Sequence, residues 1–230
     1  MSTEIATPEN TTALVINKKD LIADNADEKS LAKFGSSKTW LARIDLVGGN
    51  SSLAKEGKMG PGRYALVKDK TTFIDLGTSF NCMVLGLRLK ATKFVDGQPT
   101  SYYDNNSQEF LDVVTQSGEQ DSGCMAGPEF LLWIPNQKCF ATFHMASKSQ
   151  QNESVNVKAL LGDSATLMTA LVKPPKSRYS WHVTKTVACS INLTPPDMED
   201  FQAQLQKFKN PPKPVVKEKA PESEENARAQ

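Results

Sequence analysis

The sequence predicts a mainly β protein with a few helices. Between residues 38 and 191 apolar and polar residues mostly alternate, which is the period of a strand with one buried face. Gly, Pro, Asn and Asp divide this region into many short segments, as turns between strands do. Hydrophobic residues make up 39% of the 230 residues and charged residues 23%, a balance typical of a chain with a packed core. These observations favour a β-barrel or a β-sandwich over alternating βαβ units.

The domain limits follow from changes in composition along the chain. Residues 1–27 are polar around one short apolar run, Ala13-Leu14-Val15-Ile16, so we expect a flexible N-terminal segment, although the run could instead add an edge strand. Residues 28–209 contain the periodic patterns and are predicted to form a single β-rich domain. Residues 210–230 begin with a proline-rich stretch and have almost no apolar residue after Val216, so we expect a disordered tail.

Local signals predict the elements in chain order. An Asp cap, apolar residues at helical spacing and a terminal glycine predict a short helix at 27–35. In the segment 84–95 the leucines face one side, while Arg88 and Lys90 face the other, so one face of this strand is basic. Strands are predicted at 39–47, 63–68, 71–76, 84–95, 129–134, 138–147, 155–161, 165–172 and 178–191.

Two further elements complete the predicted domain. The tripeptide Pro135-Asn136-Gln137 has the composition of a hairpin turn. The segment from Thr194 to Asp197 opens a helix that runs to about Phe208. Its apolar residues are spaced by three or four positions, so we expect this helix to dock on the sheet: Met198, Phe201, Leu205 and Phe208.

Several classes of protein are disfavoured by what the sequence lacks. The four cysteines are too far apart for a Cys-x-x-Cys pair, so buried free thiols are expected. No window approaches the roughly 20 apolar residues of a membrane span and the N-terminus has no apolar leader, so we expect the cytoplasm, or the host cytoplasm for a phage-encoded chain. No nucleophile elbow, zinc-protease helix or paired-carboxylate motif is present, so we expect no enzyme, cofactor or metal site.

Charge is balanced in total but segregated along the chain. The net charge is +1, yet residues 38–95 hold ten basic against four acidic residues and residues 136–190 hold seven against two. Residues 96–135 hold seven acidic residues and no basic one. A polyanion would bind the two basic segments by releasing counterions. The alternative is that lysines and arginines only solvate exposed strand faces. The acidic insert, in turn, could hold a divalent metal, although a solvated loop or a helix at 107–116 is the simpler interpretation.

The residues predicted to bind nucleic acid are four cations and two rings. Lys58 and Arg63 lie in a long glycine-rich loop, residues 48–63, that could reach over a bound strand or form only a mobile hairpin tip. Arg88 and Lys90 would contact phosphates from the strand face. Phe94 and Phe140 would stack on bases, each stack contributing about 1–3 kcal/mol. Four other rings are in register with aliphatic residues and are predicted to pack in the core: Trp40, Phe143, Tyr179 and Trp181.

The stretch from Phe80 to Trp181 resembles phage-encoded single-stranded-DNA-binding proteins of the OB-fold type. The resemblance covers a little under half of the chain and rests on the following features: the basic strand Val84-Leu-Gly-Leu-Arg-Leu-Lys, a Tyr-Tyr-Asp step, an insert ending at Cys124, the hairpin from Phe130-Leu-Leu-Trp-Ile-Pro to Cys139-Phe-Ala-Thr-Phe, and a late strand around Tyr179-Ser-Trp-His-Val. It implies an OB-like β-barrel, a role in coating exposed DNA strands during replication or recombination, and a tail that recruits partner proteins. The tail departs from the bacterial pattern because it is acidic at Glu222, Glu224 and Glu225 but ends in Ala-Gln without an apolar tip.

We therefore expect an OB-like β-barrel with a C-terminal helix that binds single-stranded DNA without sequence preference and without catalysis. Its expected partners are single-stranded DNA and, through the tail, replication or recombination proteins; no membrane partner is expected, and a homo-oligomer is compatible with the sequence. The alternative is a viral or phage structural or assembly β-protein, which the same strand-rich pattern allows. A metal-dependent nuclease that uses the acidic insert is a third hypothesis.

Overall fold

A computed structural model describes residues 41–211, except 70, 71, 96, 120, 176 and 177. In the described part of the chain nine strands form one sheet and four α-helices accompany it, so the predicted mainly β class is confirmed. The strands are β1 Ala42–Leu46, β2 Tyr64–Val67, β3 Phe73–Gly77, β4 Ser79–Val95, β5 Gln98–Tyr102, β6 Cys124–Ile134, β7 Cys139–His144, β8 Ser164–Val172 and β9 Trp181–Ala188. The helices are α1 Ser52–Lys55, α2 Gln108–Gln116, α3 Lys148–Ala159 and α4 Met198–Lys209.

The long strand β4 organises the sheet, whose order is β3-β2-β1-β7-β6-β4-β8-β9 with β5 attached to β4. All pairs are antiparallel except β1 with β7. β8 pairs with the start of β4, where Ser79 lies opposite Met168. β5 pairs with its end, where Val95 lies opposite Gln98. The β8–β9 connection and the acidic insert therefore lie at opposite ends of β4.

The sheet curls around an apolar interior without closing. The Tyr64 hydroxyl of β2 donates a 3.1 Å hydrogen bond to Thr184 of β9, and the Tyr64 ring contacts Phe80 and Phe143. These residues define the inner face, on which Phe130 is also fully buried. In the described residues no backbone ladder joins β9 to β2 or β3, so the expected barrel is open at this seam.

The helix α4 covers the opposite face of the sheet, which we call the outer face. Asp197 caps the helix through its side chain, and three of the four predicted apolar residues, Phe201, Leu205 and Phe208, are buried. The Phe208 ring packs against Gly86 and Leu131, where a Cβ on residue 86 would lie 3.2 Å from it. The predicted C-terminal helix and its docking on the sheet are confirmed.

Other local predictions divide into confirmed and wrong ones. The turn at Pro135–Gln137 and the helix in the acidic insert are present. The four cysteines are free, but only Cys82 and Cys124 are buried, whereas burial was expected for all four. The strand predicted at 155–161 is wrong, because this segment belongs to α3, which Ser147 and Gln150 open with a capping box. Strand β5 and helix α1 were not predicted.

Several predictions concern residues that the structure does not describe. The flexible segment 1–27, the helix at 27–35, the core position of Trp40 and nearly all of the predicted tail lie outside the described residues. No helix in the described part of the chain has the length and apolar character needed to cross a membrane.

Candidate nucleic-acid interface

Arg88 and Lys90 do not lie on an open basic face, and this prediction is wrong. Arg88 is only 9% exposed, and its Nε donates a 2.7 Å hydrogen bond to Glu129 on β6. Its guanidinium also donates to the carbonyl of Phe208 near the end of α4. The Lys90 ammonium lies 2.8 Å from the other oxygen of Glu129. Because α4 covers this part of the sheet and Glu129 holds both cations, Arg88 and Lys90 are not available to phosphates.

These side chains form a buried network that we call the Glu129 cluster: Arg88, Lys90, Tyr103, Glu129 and His144. The Arg88 guanidinium lies 4.1 Å from the centre of the Tyr103 ring and 4.2 Å from that of Phe208. Burial alone would raise the pKa of Glu129, but the charges of Arg88 and Lys90 outweigh it and hold the pKa at about 2. Burial lowers the pKa of His144 to about 4, and the charge of Lys90 acts in the same direction.

Lys58 and Arg63 are exposed but belong to a packed loop. The loop joins the antiparallel strands β1 and β2, as the hairpin interpretation expects, and it contains α1, with Met59 buried beside Val47 and Ala65. Lys58 pairs with Glu56 at 2.6 Å and Arg63 with Asp75 at 2.7 Å. Exposed pairs of this kind contribute about 0–1 kcal/mol, so a phosphate could compete for either cation.

The two predicted stacking rings lie far from each other. Phe94 is 42% exposed near the end of β4, where its backbone contacts Gly123 of the acidic insert. Phe140 is half-buried on the outer face, with its ring centre 4.9 Å from that of Trp133. Of the six predicted binding residues, only Arg88 and Lys90 are brought together, and they share a carboxylate rather than a ligand surface.

The exposed rings that sequence reasoning missed are at the turn between β8 and β9. Tyr179 is 79% exposed and Trp181 is 45% exposed, so their predicted core positions are wrong. Trp181 and Val183 are two positions apart on β9 and therefore share a face of the strand, and Val183 is buried. In the β8–β9 hairpin both residues lie beyond Met168, the last β8 residue that pairs with β4, and Trp181 is the first residue of β9, next to the exposed turn.

The same turn carries basic residues and no acidic one. Residues 164–196 contain four basic residues and no acidic one. Lys173 and Arg178 are exposed, and Leu171 is an exposed apolar neighbour. We call this region the hairpin end and define it as Leu171, Lys173, Arg178, Tyr179 and Trp181.

The glycine-rich loop reaches the base of the hairpin end. Gly62 has a φ of +82°, and a Cβ at this position would collide with the ring of His182 on β9. Arg63, the next residue, is therefore held close to the start of β9. The glycine-rich loop was predicted to act together with a strand of the sheet. It does contact a strand, but that strand is β9 and not β4.

A groove of about 460 Å³ lies beside the Trp133–Phe140 ring pair. Its rim carries Lys68 and Lys138, both exposed, and one carboxylate, Asp200 of α4. Trp133 pairs with the beginning of β4 in the sheet register, as the hairpin end does through β8. The ring groove and the hairpin end therefore lie toward the same end of β4.

Comparisons with family models, curated proteins and solved structures give no significant match. Within the described residues, no three His, Cys, Asp or Glu side chains are arranged to share a metal ion.

Proposed function

We propose that this protein binds single-stranded DNA without sequence preference and without catalysis, in replication or recombination. The observation that carries the proposal is the hairpin end, where two exposed rings, Tyr179 and Trp181, stand in a run of residues that has basic side chains and no carboxylate. Aromatic rings accept any base by stacking, and lysine or arginine side chains neutralise the neighbouring phosphates. Such a surface requires no readout of base edges.

The ring groove supplies a second place for a base in this proposal. Trp133 and Phe140 present partly exposed rings, and Lys68 and Lys138 at the rim are suited to flanking phosphates. A strand that runs from the hairpin end to the groove would cross the outer face over Ser79 and Asn81, which are polar and carry no charge. The path also passes the carboxylates of Asp75, which pairs with Arg63, and of Asp200 at the groove rim.

The strand order supports the same reading. β4, β6 and β7 form an antiparallel meander, α3 follows, and the hairpin of β8 and β9 returns to pair with β4. This order resembles a five-stranded OB barrel, whose ligands bind along the second and third strands and the adjoining loops. In this chain β6 and β7 carry the ring groove, and the loop between the last two strands is the hairpin end.

The experiment is a titration of a labelled mixed-sequence oligonucleotide, followed by fluorescence anisotropy. Trp181→Ala removes one stacking ring, so we expect a loss of about 1–3 kcal/mol, or roughly 5- to 150-fold in affinity. Phe94→Ala is the matched control, since its ring is equally exposed but lies at the other end of β4 beside the acidic insert. We expect this control to bind like the original protein.

Three results would count against the proposal. The first is an absence of binding at low ionic strength. The second is an equal loss in Trp181→Ala and Phe94→Ala, which would indicate that neither ring marks the site. The third is a large closed assembly in light scattering that ignores the oligonucleotide, which would instead favour a viral or phage structural protein.

A further inference from the structure

The apolar side of α2 is wider than the part that the sheet covers. Phe110 and Val113 are buried against Ala91 and Ala126. Leu111 and Val114, which continue the same apolar arc around the helix, are 46% and 40% exposed. Leu89 is also exposed, and it projects from the sheet face on which α2 packs. The helix thus leaves an apolar strip without a partner in the described residues.

Exposed carboxylates lie on α2 and in the segments that flank it. Asp104, Glu109, Asp112, Glu119 and Asp121 are all exposed, and none of them forms an ion pair within the described part of the chain. No lysine or arginine occurs between residues 96 and 135 to offset them. We call the strip and these carboxylates the α2 end. A partner for it must offer apolar groups together with positive charge.

The hairpin end of the same chain has that composition. It combines the exposed apolar or aromatic residues Leu171, Tyr179 and Trp181 with the cations Lys173 and Arg178. The two ends lie at opposite ends of the 17-residue strand β4, which spans about 50 Å when extended. One molecule therefore cannot bring its own two ends together, whereas two copies can.

We propose that copies of this protein associate head to tail, with the α2 end of one copy bound to the hairpin end of the next. The contact is heterologous, so each added copy leaves one free end of each kind and the product is an open chain. Charge complementarity sets the pairing and the orientation, while the apolar residues of both ends are removed from water. Because the hairpin end is also the surface proposed for DNA, a strand and a second copy exclude each other there, and the head-to-tail contact is therefore tested in the absence of nucleic acid.

Sedimentation velocity at low ionic strength tests the contact with charge-reversed variants. Glu109→Lys with Asp112→Lys removes most of the negative charge of the α2 end and leaves the hairpin end basic, and Lys173→Glu with Arg178→Glu gives a copy with two acidic ends. A mixture of the two variants still pairs the original hairpin end of the first with the original α2 end of the second. All four residues are exposed, so the variants should fold, which circular dichroism verifies. We expect the average mass of the original protein to rise with concentration, each variant alone to associate at least about tenfold more weakly, and the equimolar mixture to recover association.

Lys148→Glu with Lys158→Glu is the matched control, because it makes the same change in net charge on the exposed side of α3. We expect this control to associate like the original protein. The proposal is overturned if the original protein stays monomeric at low salt, if the control loses association as much as the hairpin-end variant, or if the mixture of the two reversed variants remains monomeric. Failure of the oligonucleotide titration alone would leave the head-to-tail contact standing.

Discussion

Glu129 is the buried charge on which three other titratable side chains of the sheet converge. It is fully buried, receives hydrogen bonds from Arg88 and Lys90, and lies opposite His144 in the β6–β7 register. A buried ion pair contributes little net stability compared with an apolar substitute, but removal of one partner is costly because the others remain buried and uncompensated. Loss of this carboxylate should therefore lower the free energy of unfolding far more than loss of a carboxylate on the surface.

Replacing Glu129 with glutamine should lower the free energy of unfolding by about 3–5 kcal/mol, since two cations would be left close together without a counter-charge. Urea denaturation at neutral pH measures the loss. Asp45→Asn is the control, because it breaks an exposed pair with Arg43 at 3.0 Å and should cost no more than about 1 kcal/mol. Equal losses in the two variants would contradict the role assigned to the cluster.

His144 should make stability depend on pH below neutrality. Its pKa in the folded protein is about 4, below its ordinary value of 6.5, so the unfolded chain takes up the proton first and stability falls as the pH drops from about 6.5 to about 4, by up to roughly 3 kcal/mol. Glu129 acts lower: its stabilising contribution is complete above the ordinary pKa of a glutamate and is lost as the pH falls toward about 2.

His144→Gln removes the first of these two effects and leaves the second. Urea midpoints measured at intervals between pH 7 and pH 3 should therefore be flatter above pH 4 in the variant than in the original protein. An unchanged slope above pH 4 would mean that another group causes it.

At the scale of elements, α4 decides which part of the sheet is available. Its apolar residues cover the outer face around Gly86 and Leu131, and its C-terminal carbonyl at Phe208 accepts from Arg88. An arginine near the C-terminus of a helix also interacts favourably with the helix dipole. The helix thus covers a strand face that would otherwise have been open and basic.

Phe208→Ala should destabilise the protein by about 3–5 kcal/mol, because it empties a fully buried ring site. Met198→Ala, in the first turn of the same helix, replaces an exposed residue and should change stability by less than about 0.5 kcal/mol. Thermal unfolding followed by circular dichroism compares the two variants. Similar losses would indicate that α4 contributes through its own helicity and not through its packing on the sheet.

At the scale of the whole molecule, charge is separated along β4. The α2 end is acidic, while the hairpin end and the rim of the ring groove are basic, although the net charge of the chain is only +1. A polyanion therefore meets a local surface whose charge differs from the average. The affinity for single-stranded DNA should therefore depend on the charge of this local surface and not on the net charge of the chain.

The affinity for single-stranded DNA should fall as salt rises. If Lys68, Lys138, Lys173 and Arg178 each neutralise one phosphate, the plot of log affinity against log salt has a slope of about −3. Lys173→Glu with Arg178→Glu should reduce that slope by about half or more, whereas Lys148→Glu with Lys158→Glu should leave it nearly unchanged. A slope near zero in the original protein would contradict an electrostatic interface.

The predicted binding residues show where sequence reasoning stops. Alternation correctly indicated that Arg88 and Lys90 share one face of a strand, but it does not say whether a helix 120 residues later covers that face. The same period placed Trp181 with Val183, yet the valine is buried and the ring, at the first position of β9 beside the turn, is exposed. In both cases the sequence pattern does not show which other part of the fold covers the strand face.

The sequence by itself determined the mainly β class, the C-terminal helix and the segregation of charge, because periodicity, caps and residue type act over a few neighbouring positions. Only the tertiary structure decided which cations Glu129 neutralises, which rings remain exposed and that the two charged ends lie apart. Those outcomes depend on strand register and on packing between residues far apart in the chain, and local patterns do not specify them.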